Sequence, residues 1–113
     1  MKKHLILIFS LLFLASCSNE LYKYYDYDNL LYAYGTTDFT EKEIKRFTRQ
    51  YTKIVENPKG KRELPPPGAC AEYGYLLFLQ GKNKEAKEYL IKETVIYPES
   101  QTYVDALIKS LGL

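Results

Sequence analysis

The thiol of Cys17 is the side chain with the clearest chemistry in this sequence, because it ends a Leu-Ala-Ser-Cys tetrad at residues 14–17. Lys2 and Lys3 precede an apolar run over residues 5–14, which is typical of a signal peptide and too short to span a membrane. Small residues before the cysteine fit a peptidase site, and the thiol would accept a diacylglyceryl group. We therefore predict cleavage before Cys17 and a lipid-modified mature N-terminus.

This tetrad closely resembles a bacterial lipobox, although an uncleaved anchor or a secretory peptide with an incidental Cys17 are alternatives. Two or three acyl chains, at about 0.8 kcal/mol per buried methylene, would hold the protein on a membrane permanently. Ser18 stands where an aspartate would favour retention in an inner membrane. We predict the periplasmic face of the outer membrane, or the outer face of the cytoplasmic membrane in a host with a single membrane.

Catalytic chemistry has little support in the remaining residues. The only histidine, His4, lies in the predicted signal peptide, so the mature chain would lack an imidazole for base catalysis or metal ligation. Phosphate-binding Gly-rich loops and clusters of metal-ligand spacing are missing from the sequence. Four glutamates could pair as acid and base, but their spacing predicts solvated helix faces: Glu72, Glu85, Glu88 and Glu93. We predict no enzyme, no metal, no small-molecule substrate and no cofactor beyond the diacylglycerol and N-acyl chains on Cys17.

The second cysteine, Cys70, would be alone once Cys17 carries lipid, so no internal disulfide is expected. It stands between two alanines in a predicted helix, which favours a small core residue. A mixed disulfide with a partner is the alternative.

The charge of the mature chain is balanced overall but uneven along its length. Residues 17–113 carry 14 basic and 14 acidic side chains, so no nucleic-acid partner is implied. Residues 18–40 have a net charge of about −3 and residues 41–63 of about +4. The basic segment is either a solvated helix face with a basic loop or a surface for anionic lipid headgroups.

The positions of apolar residues predict helices throughout the mature chain. A short helix or turn is expected over 27–35 after Asp26, and an amphipathic helix over 41–56 after a capping box of Thr40 and Glu43. Two further helices flank a turn at residues 81–83 and end at Pro98, and a last helix spans 101–111. We predict an all-α protein with a signal peptide (1–16), a lipidated Tyr-rich tether (17–37) and a helical domain (38–113).

Small residues in the central hairpin resemble those of a tetratricopeptide repeat. Gly74 and Ala86 are twelve residues apart, at positions where two helices approach closely, and Pro98 follows twelve residues later. The match covers residues 67–100. Since one repeat cannot bury its own faces, the helices at 41–56 and 101–111 are expected to cap its two sides.

Tyrosines are concentrated directly after the lipidation site, where amphipathic rings suit a headgroup zone or a protein contact. Six candidate contact residues are predicted: Tyr24, Tyr25, Tyr27, Tyr75, Phe78 and Tyr103. The first three belong to the Tyr-rich segment, and the others lie off the main apolar stripes or beside the end of the repeat. The alternative is that these rings pack on the domain itself.

Several further motifs accompany the lipobox: Leu31-Tyr32-x-Tyr34, Pro66-Pro67-Gly68, Gly74-x-Leu76-Leu77 with Gly81, and Tyr97-Pro98-Glu99-Ser100-x-x-Tyr103-x-Asp105. With these motifs, nearly all of the mature chain resembles a family of small bacterial lipoproteins known as domain of unknown function 4810. Residues 24–27 (Tyr-Tyr-Asp-Tyr) stand where this family typically has Trp-Gly-x-Tyr. The resemblance implies an envelope lipoprotein, often encoded beside a lipoprotein that looks like the curli secretion channel, and it brings no catalytic residue.

Two functions are compatible with these features. The first is a lipid-anchored envelope adaptor that binds another envelope lipoprotein, such as one resembling the curli secretion channel, during assembly or stabilisation. The second is a structural lipoprotein whose basic helix and Tyr segment bind anionic headgroups on the membrane surface.

Overall fold

Helices make up most of the protein that the computed structural model describes, residues 24–113. In order these are α1 (Tyr27–Thr36), α2 (Glu41–Glu56), α3 (Ala69–Leu79), α4 (Asn83–Ile96), a 3₁₀ turn (Pro98–Ser100) and α5 (Gln101–Leu111). No strand occurs within residues 24–113, and the predicted all-α class is confirmed. The predicted signal peptide (1–16) and Cys17 lie outside the described residues.

Helix α2 has the bounds that its sequence predicts, although only half of the expected capping box forms. The Thr40 hydroxyl accepts a hydrogen bond from the backbone N–H of Glu43 at 3.3 Å. The Glu43 carboxylate accepts instead from the hydroxyl of Thr37, three residues before the cap. This bond ties the connection between α1 and α2 to the first turn of α2.

Helices α3 and α4 form a closely packed hairpin. A Cβ atom on Gly74 would lie 3.0 Å from the Ala86 carbonyl oxygen and 3.0 Å from Cγ of Leu90, so only glycine allows this approach. Gly81 turns the chain with a φ of 77°, a region that favours glycine. Helix α2 packs against α3 and α5 against α4, as expected of helices that cap the two sides.

Helix α1 differs from the predicted tether over 17–37, because residues 27–36 fold onto the domain. Tyr27 and Leu30 are buried in the same apolar cluster as Phe47 and Tyr51 of α2. Asp26 precedes the helix as predicted, but its carboxylate accepts from the Asn29 side-chain amide at 2.9 Å rather than capping a backbone N–H. The Tyr-rich segment is therefore partly an element of the folded domain.

Two clusters of buried residues hold the helices together. The larger one joins α1, α2 and α3 and is rich in aromatic rings, whereas the smaller one joins Ala71 of α3, Leu90 of α4 and Val104 of α5. Burying such side chains stabilises the fold by about 25 cal/mol per Å² of apolar surface. The aromatic cluster extends to the protein surface, where it forms a groove.

Candidate functional site

An open groove of about 460 Å³ lies between α1, α3 and α5. Its lining includes four aromatic rings, one carboxylate and one aliphatic side chain: Tyr34, Phe39, Tyr75, Tyr103, Glu72 and Leu107. Tyr103 is 63% exposed, and Tyr34, Phe39 and Tyr75 are half-buried. A concave aromatic surface with a few polar groups is typical of a binding site.

Three of the four rings that line the groove, those of Tyr34, Phe39 and Tyr75, contact one another in series. The Tyr34 and Phe39 ring centroids are 5.2 Å apart, and those of Phe39 and Tyr75 are 5.5 Å apart, both edge to face. Tyr75 in turn stacks on Phe78 at 6.3 Å. Such pairs contribute about 0.5–1.5 kcal/mol each beyond the burial of their area. The aromatic wall of the groove is thus held in place by its own contacts.

Phe39 reaches the groove from an unusual backbone conformation. It lies in the connection between α1 and α2 with a φ of 50°, which is unfavourable for a bulky residue. Its backbone N–H donates to the Thr37 hydroxyl at 3.1 Å, and its ring lies between those of Tyr34 and Tyr75. These contacts compensate for a backbone cost of about 1–3 kcal/mol.

Glu72 lies at the base of the groove and bridges three helices. The Tyr27 hydroxyl of α1 donates to its Oε1 at 2.9 Å, and the Tyr51 hydroxyl of α2 donates to its Oε2. Burial raises the pKa of Glu72 to about 7, against the lowering effect of both hydrogen bonds. No lysine or arginine within residues 24–113 forms an ion pair with it. The prediction of a solvated helix face is wrong for Glu72.

Glu93 of α4 is fully buried, contrary to the same prediction. Its side chain is 1% exposed, and neither carboxylate oxygen has a hydrogen-bond partner of ordinary geometry in the described chain. Burial raises its pKa, and the backbone N–H groups of Gly68 and Ala71 at the start of α3 lower it. Glu85 and Glu88 are exposed, as their spacing predicts.

The six predicted contact residues fall into three different environments. Tyr75 and Tyr103 line the groove, and Phe78 stacks against Tyr75. Tyr24 and Tyr25 lie instead beside the loop after α2, where their hydroxyls donate to the carbonyls of Leu64 at 2.9 Å and Asn57 at 3.3 Å.

Tyr27 needs a correction, since it is only 5% exposed. Its ring packs edge to face on Tyr51 at 6.3 Å because α1 folds onto α2. The side chain packs in the core and donates a hydrogen bond to Glu72, so it is not part of a surface that a partner could contact.

Sequence reasoning did not select Tyr34, Phe39 or Glu72 as site residues. A signal for Glu72 exists, because it lies three residues after Ala69 and four before Leu76, on one buried stripe of α3. Glu93 has the same relation to Leu90 of α4 and to Tyr97, the residue that directly follows α4. No comparable signal marks Phe39, because its position depends on how the connection between two helices folds.

Residues 24–113 were also compared with three other kinds of feature: a reactive thiol, a membrane-spanning helix and a metal site. Cys70 is fully buried, and burial raises the pKa of its thiol to about 12, which confirms the predicted core role and disfavours a mixed disulfide. No helix in this part of the chain is long and apolar enough to cross a membrane. The same residues contain no group of three or more His, Cys, Asp or Glu side chains that could hold a metal ion.

The fold and the groove define a small all-helical protein with an aromatic binding-type surface. The chain belongs to the family described as Domain of unknown function (DUF4810), whose sequence pattern matches residues 21–107. The resemblance seen in the sequence is thereby confirmed at the level of the family. Comparison with curated proteins and with solved structures finds no match. The tetratricopeptide-like assignment therefore stays a prediction, supported by the close approach of α3 and α4 at Gly74.

Proposed function

We propose that this protein is a lipid-anchored adaptor that binds another envelope protein through the groove between α1, α3 and α5. The observation that carries this proposal is the aromatic lining of the groove, with Tyr103 63% exposed at its edge. Tyrosine is enriched where interfaces contribute most binding energy, because its ring buries a large area at low entropic cost. A surface tyrosine beside three further rings is thus a suitable anchor for a partner.

Lipidation of Cys17 would place this groove beside a membrane. Cys17 and the start of α1 are separated by 9 residues, so the groove would stay close to the bilayer surface. The family resemblance suggests the partner, a neighbouring lipoprotein similar to the curli secretion channel. The predicted setting is the periplasmic face of the outer membrane, where such a channel would be assembled or stabilised.

Site-specific photocrosslinking in cells tests the adaptor. A photoreactive amino acid in place of Tyr103 should yield a reproducible protein adduct, identified by mass spectrometry. The matched control is Tyr32 of α1, which is 76% exposed and does not line the groove. No adduct from position 103, or the same adduct from both positions, would contradict the proposal.

A second candidate function is supported by the exposed basic face of α2. Five basic side chains of this helix are exposed to solvent, and none of them lines the groove: Lys42, Lys45, Arg46, Arg49 and Lys53. Each basic residue near an anionic membrane contributes about 1 kcal/mol, or about fivefold in affinity. These side chains could hold the domain against headgroups beside its lipid anchor.

Vesicle binding tests this second candidate. The Cys17→Ala chain should co-sediment with vesicles of anionic lipid and be released by salt, because exposed charges are screened. Arg46→Gln with Arg49→Gln should weaken binding by at least tenfold, whereas Glu85→Gln on α4 should not weaken it. Equal binding to neutral vesicles would contradict the candidate.

A further inference from the structure

We propose that the groove recognises the guanidinium group of an arginine side chain on the partner protein, held by Glu72 and the surrounding aromatic rings. This inference rests on the proposed adaptor function and adds the chemistry of its ligand. Three observations support it: the carboxylate of Glu72 in the groove, the aromatic side chains that line the groove, and the absence of basic side chains from this lining within residues 24–113.

The charge favours a cation. Glu72 lines the groove, and its two oxygens each accept a single hydroxyl hydrogen bond, from Tyr27 and Tyr51. A carboxylate oxygen can accept more than one hydrogen bond, so both oxygens retain acceptor capacity. The surrounding groups that affect Glu72 are tyrosines and Glu93, with no cation to balance its charge. An anionic or purely apolar ligand would leave this charge unmatched.

The walls favour a guanidinium over an ammonium group. Tyr34, Phe39, Tyr75 and Tyr103 line the same groove as the carboxylate. A guanidinium group stacks on aromatic faces, is weakly hydrated and matches the two oxygens of a carboxylate with its planar fork. A lysine ammonium is more strongly hydrated and would lose more hydration free energy on entering the groove.

The ligand has to come from outside this chain. No basic side chain of residues 24–113 lines the groove, and the basic residues before position 24 are lysines and one histidine, with no arginine. With a volume of about 460 Å³ and an open side, the groove admits a side chain together with its flanking backbone. An arginine in an extended partner segment meets these requirements.

Peptide binding tests the inference on the full-length chain in a neutral detergent at pH 8. The probes are labelled pentapeptides, Gly-Ser-X-Ser-Gly with blocked ends, in which X is arginine, lysine, citrulline or glutamate. Citrulline has the shape of arginine without its charge. Fluorescence anisotropy should show the arginine peptide binding at least fivefold more tightly than each of the other three. Equal binding of the citrulline or the lysine peptide would overturn the inference.

Variants assign the binding to the groove. Tyr103→Lys should reduce arginine-peptide affinity at least tenfold by charge repulsion, whereas the matched Tyr32→Lys should leave it unchanged. Both side chains are largely exposed, at 63% and 76%, so both variants should fold. Glu72→Gln should abolish the preference for arginine over citrulline. Unchanged affinity in Tyr103→Lys, or a retained preference in Glu72→Gln, would overturn the inference.

The outcomes separate this inference from the adaptor itself. A crosslinked partner at position 103, combined with no arginine preference, would overturn the guanidinium ligand and keep the adaptor. A preference for the arginine peptide without any crosslinked partner would overturn the adaptor and keep the guanidinium ligand. Sedimentation could instead show a dimer of this chain that the arginine peptide dissociates. The ligand would then be an arginine of a second copy, and the proposal that it belongs to a different protein would be overturned.

Discussion

Glu72, which is half-buried, and Glu93, which is fully buried, are two glutamates on neighbouring helices in contrasting surroundings. Glu72 receives hydrogen bonds from two tyrosine hydroxyls and opens onto the groove, whereas Glu93 has no hydrogen bond of ordinary geometry to its carboxylate. The start of α3, with the N–H groups of Gly68 and Ala71, is the favourable electrostatic surrounding of Glu93. Burial by itself therefore does not define a site. Glu72 differs from Glu93 because it is open to the groove and accepts hydrogen bonds from two tyrosine hydroxyls.

The dependence of stability on pH is the largest effect expected from this pair. The pKa of Glu72 rises from its ordinary 4.5 to about 7 in the folded chain, so the folded state binds more protons between these values. The free energy of unfolding should therefore be highest near pH 4.5 and fall by about 3 kcal/mol towards pH 7–8. Urea unfolding across this range measures it.

Glu72→Gln is the control for the pH effect. This variant should show a smaller decline in the free energy of unfolding towards pH 7. The decline that remains belongs to Glu93, because burial raises the pKa of that carboxyl group as well. A wild-type stability that is constant or rises between pH 4.5 and 7 would show that Glu72 ionises normally.

Removing the acceptor for both tyrosines should give the next largest effect. Glu72→Leu leaves the hydroxyls of Tyr27 and Tyr51 unpaired in the core, and each such group costs about 1–3 kcal/mol. We expect a loss of at least 2 kcal/mol in the free energy of unfolding at pH 5. Glu88→Leu on the exposed face of α4 is the matched control and should change stability by less than about 0.5 kcal/mol. Similar values for both variants would contradict the bridging role.

The close approach of α3 and α4 can be tested at Gly74. Gly74→Ala introduces a methyl group 3.0 Å from the Ala86 carbonyl oxygen, and overpacking of this kind costs about 1–3 kcal/mol. Part of that loss is offset by the better helix propensity of alanine. We expect a net loss of about 1 kcal/mol in thermal or urea unfolding.

Gly35 of α1 provides the matched glycine, because no other element within residues 24–113 comes within 4 Å of where its Cβ would lie. Gly35→Ala should therefore gain about 0.5–1 kcal/mol. Equal effects at both positions would show that Gly74 is not a contact between the helices.

Replacing Glu93 should have the smallest effect and sharpens the contrast with Glu72. Glu93→Met replaces a buried carboxylate that accepts no hydrogen bond of ordinary geometry with an apolar side chain of similar volume, a change that is often neutral or stabilising. It also removes the attraction of the carboxylate to the start of α3. We expect a change within about 1 kcal/mol in urea unfolding at pH 5. A loss as large as that of Glu72→Leu would mean that both carboxylates bridge helices equally.

Local sequence signals predicted the elements of this fold well. The bounds of α2, the turn at Gly81 and the ends of α4 and α5 follow from caps, glycines and prolines, which act within a few residues. The side-chain hydrogen bonds at helix ends are not evident from the sequence, since Ser100 directly precedes α5 but its hydroxyl donates to the Tyr97 carbonyl. Tyr75 and Tyr103 were predicted as contact residues and do line the groove.

What the sequence determined by itself is the all-α class, the order of the helices and the family, because helix periodicity and end signals are local. Only the tertiary structure decided which stripe of each helix is buried. Tyr27 enters the core because α1 folds back onto α2. Glu93 is buried and Glu72 is half-buried, because other helices cover their faces. The groove likewise exists only where three helices meet, since Tyr34, Glu72 and Tyr103 are distant in sequence.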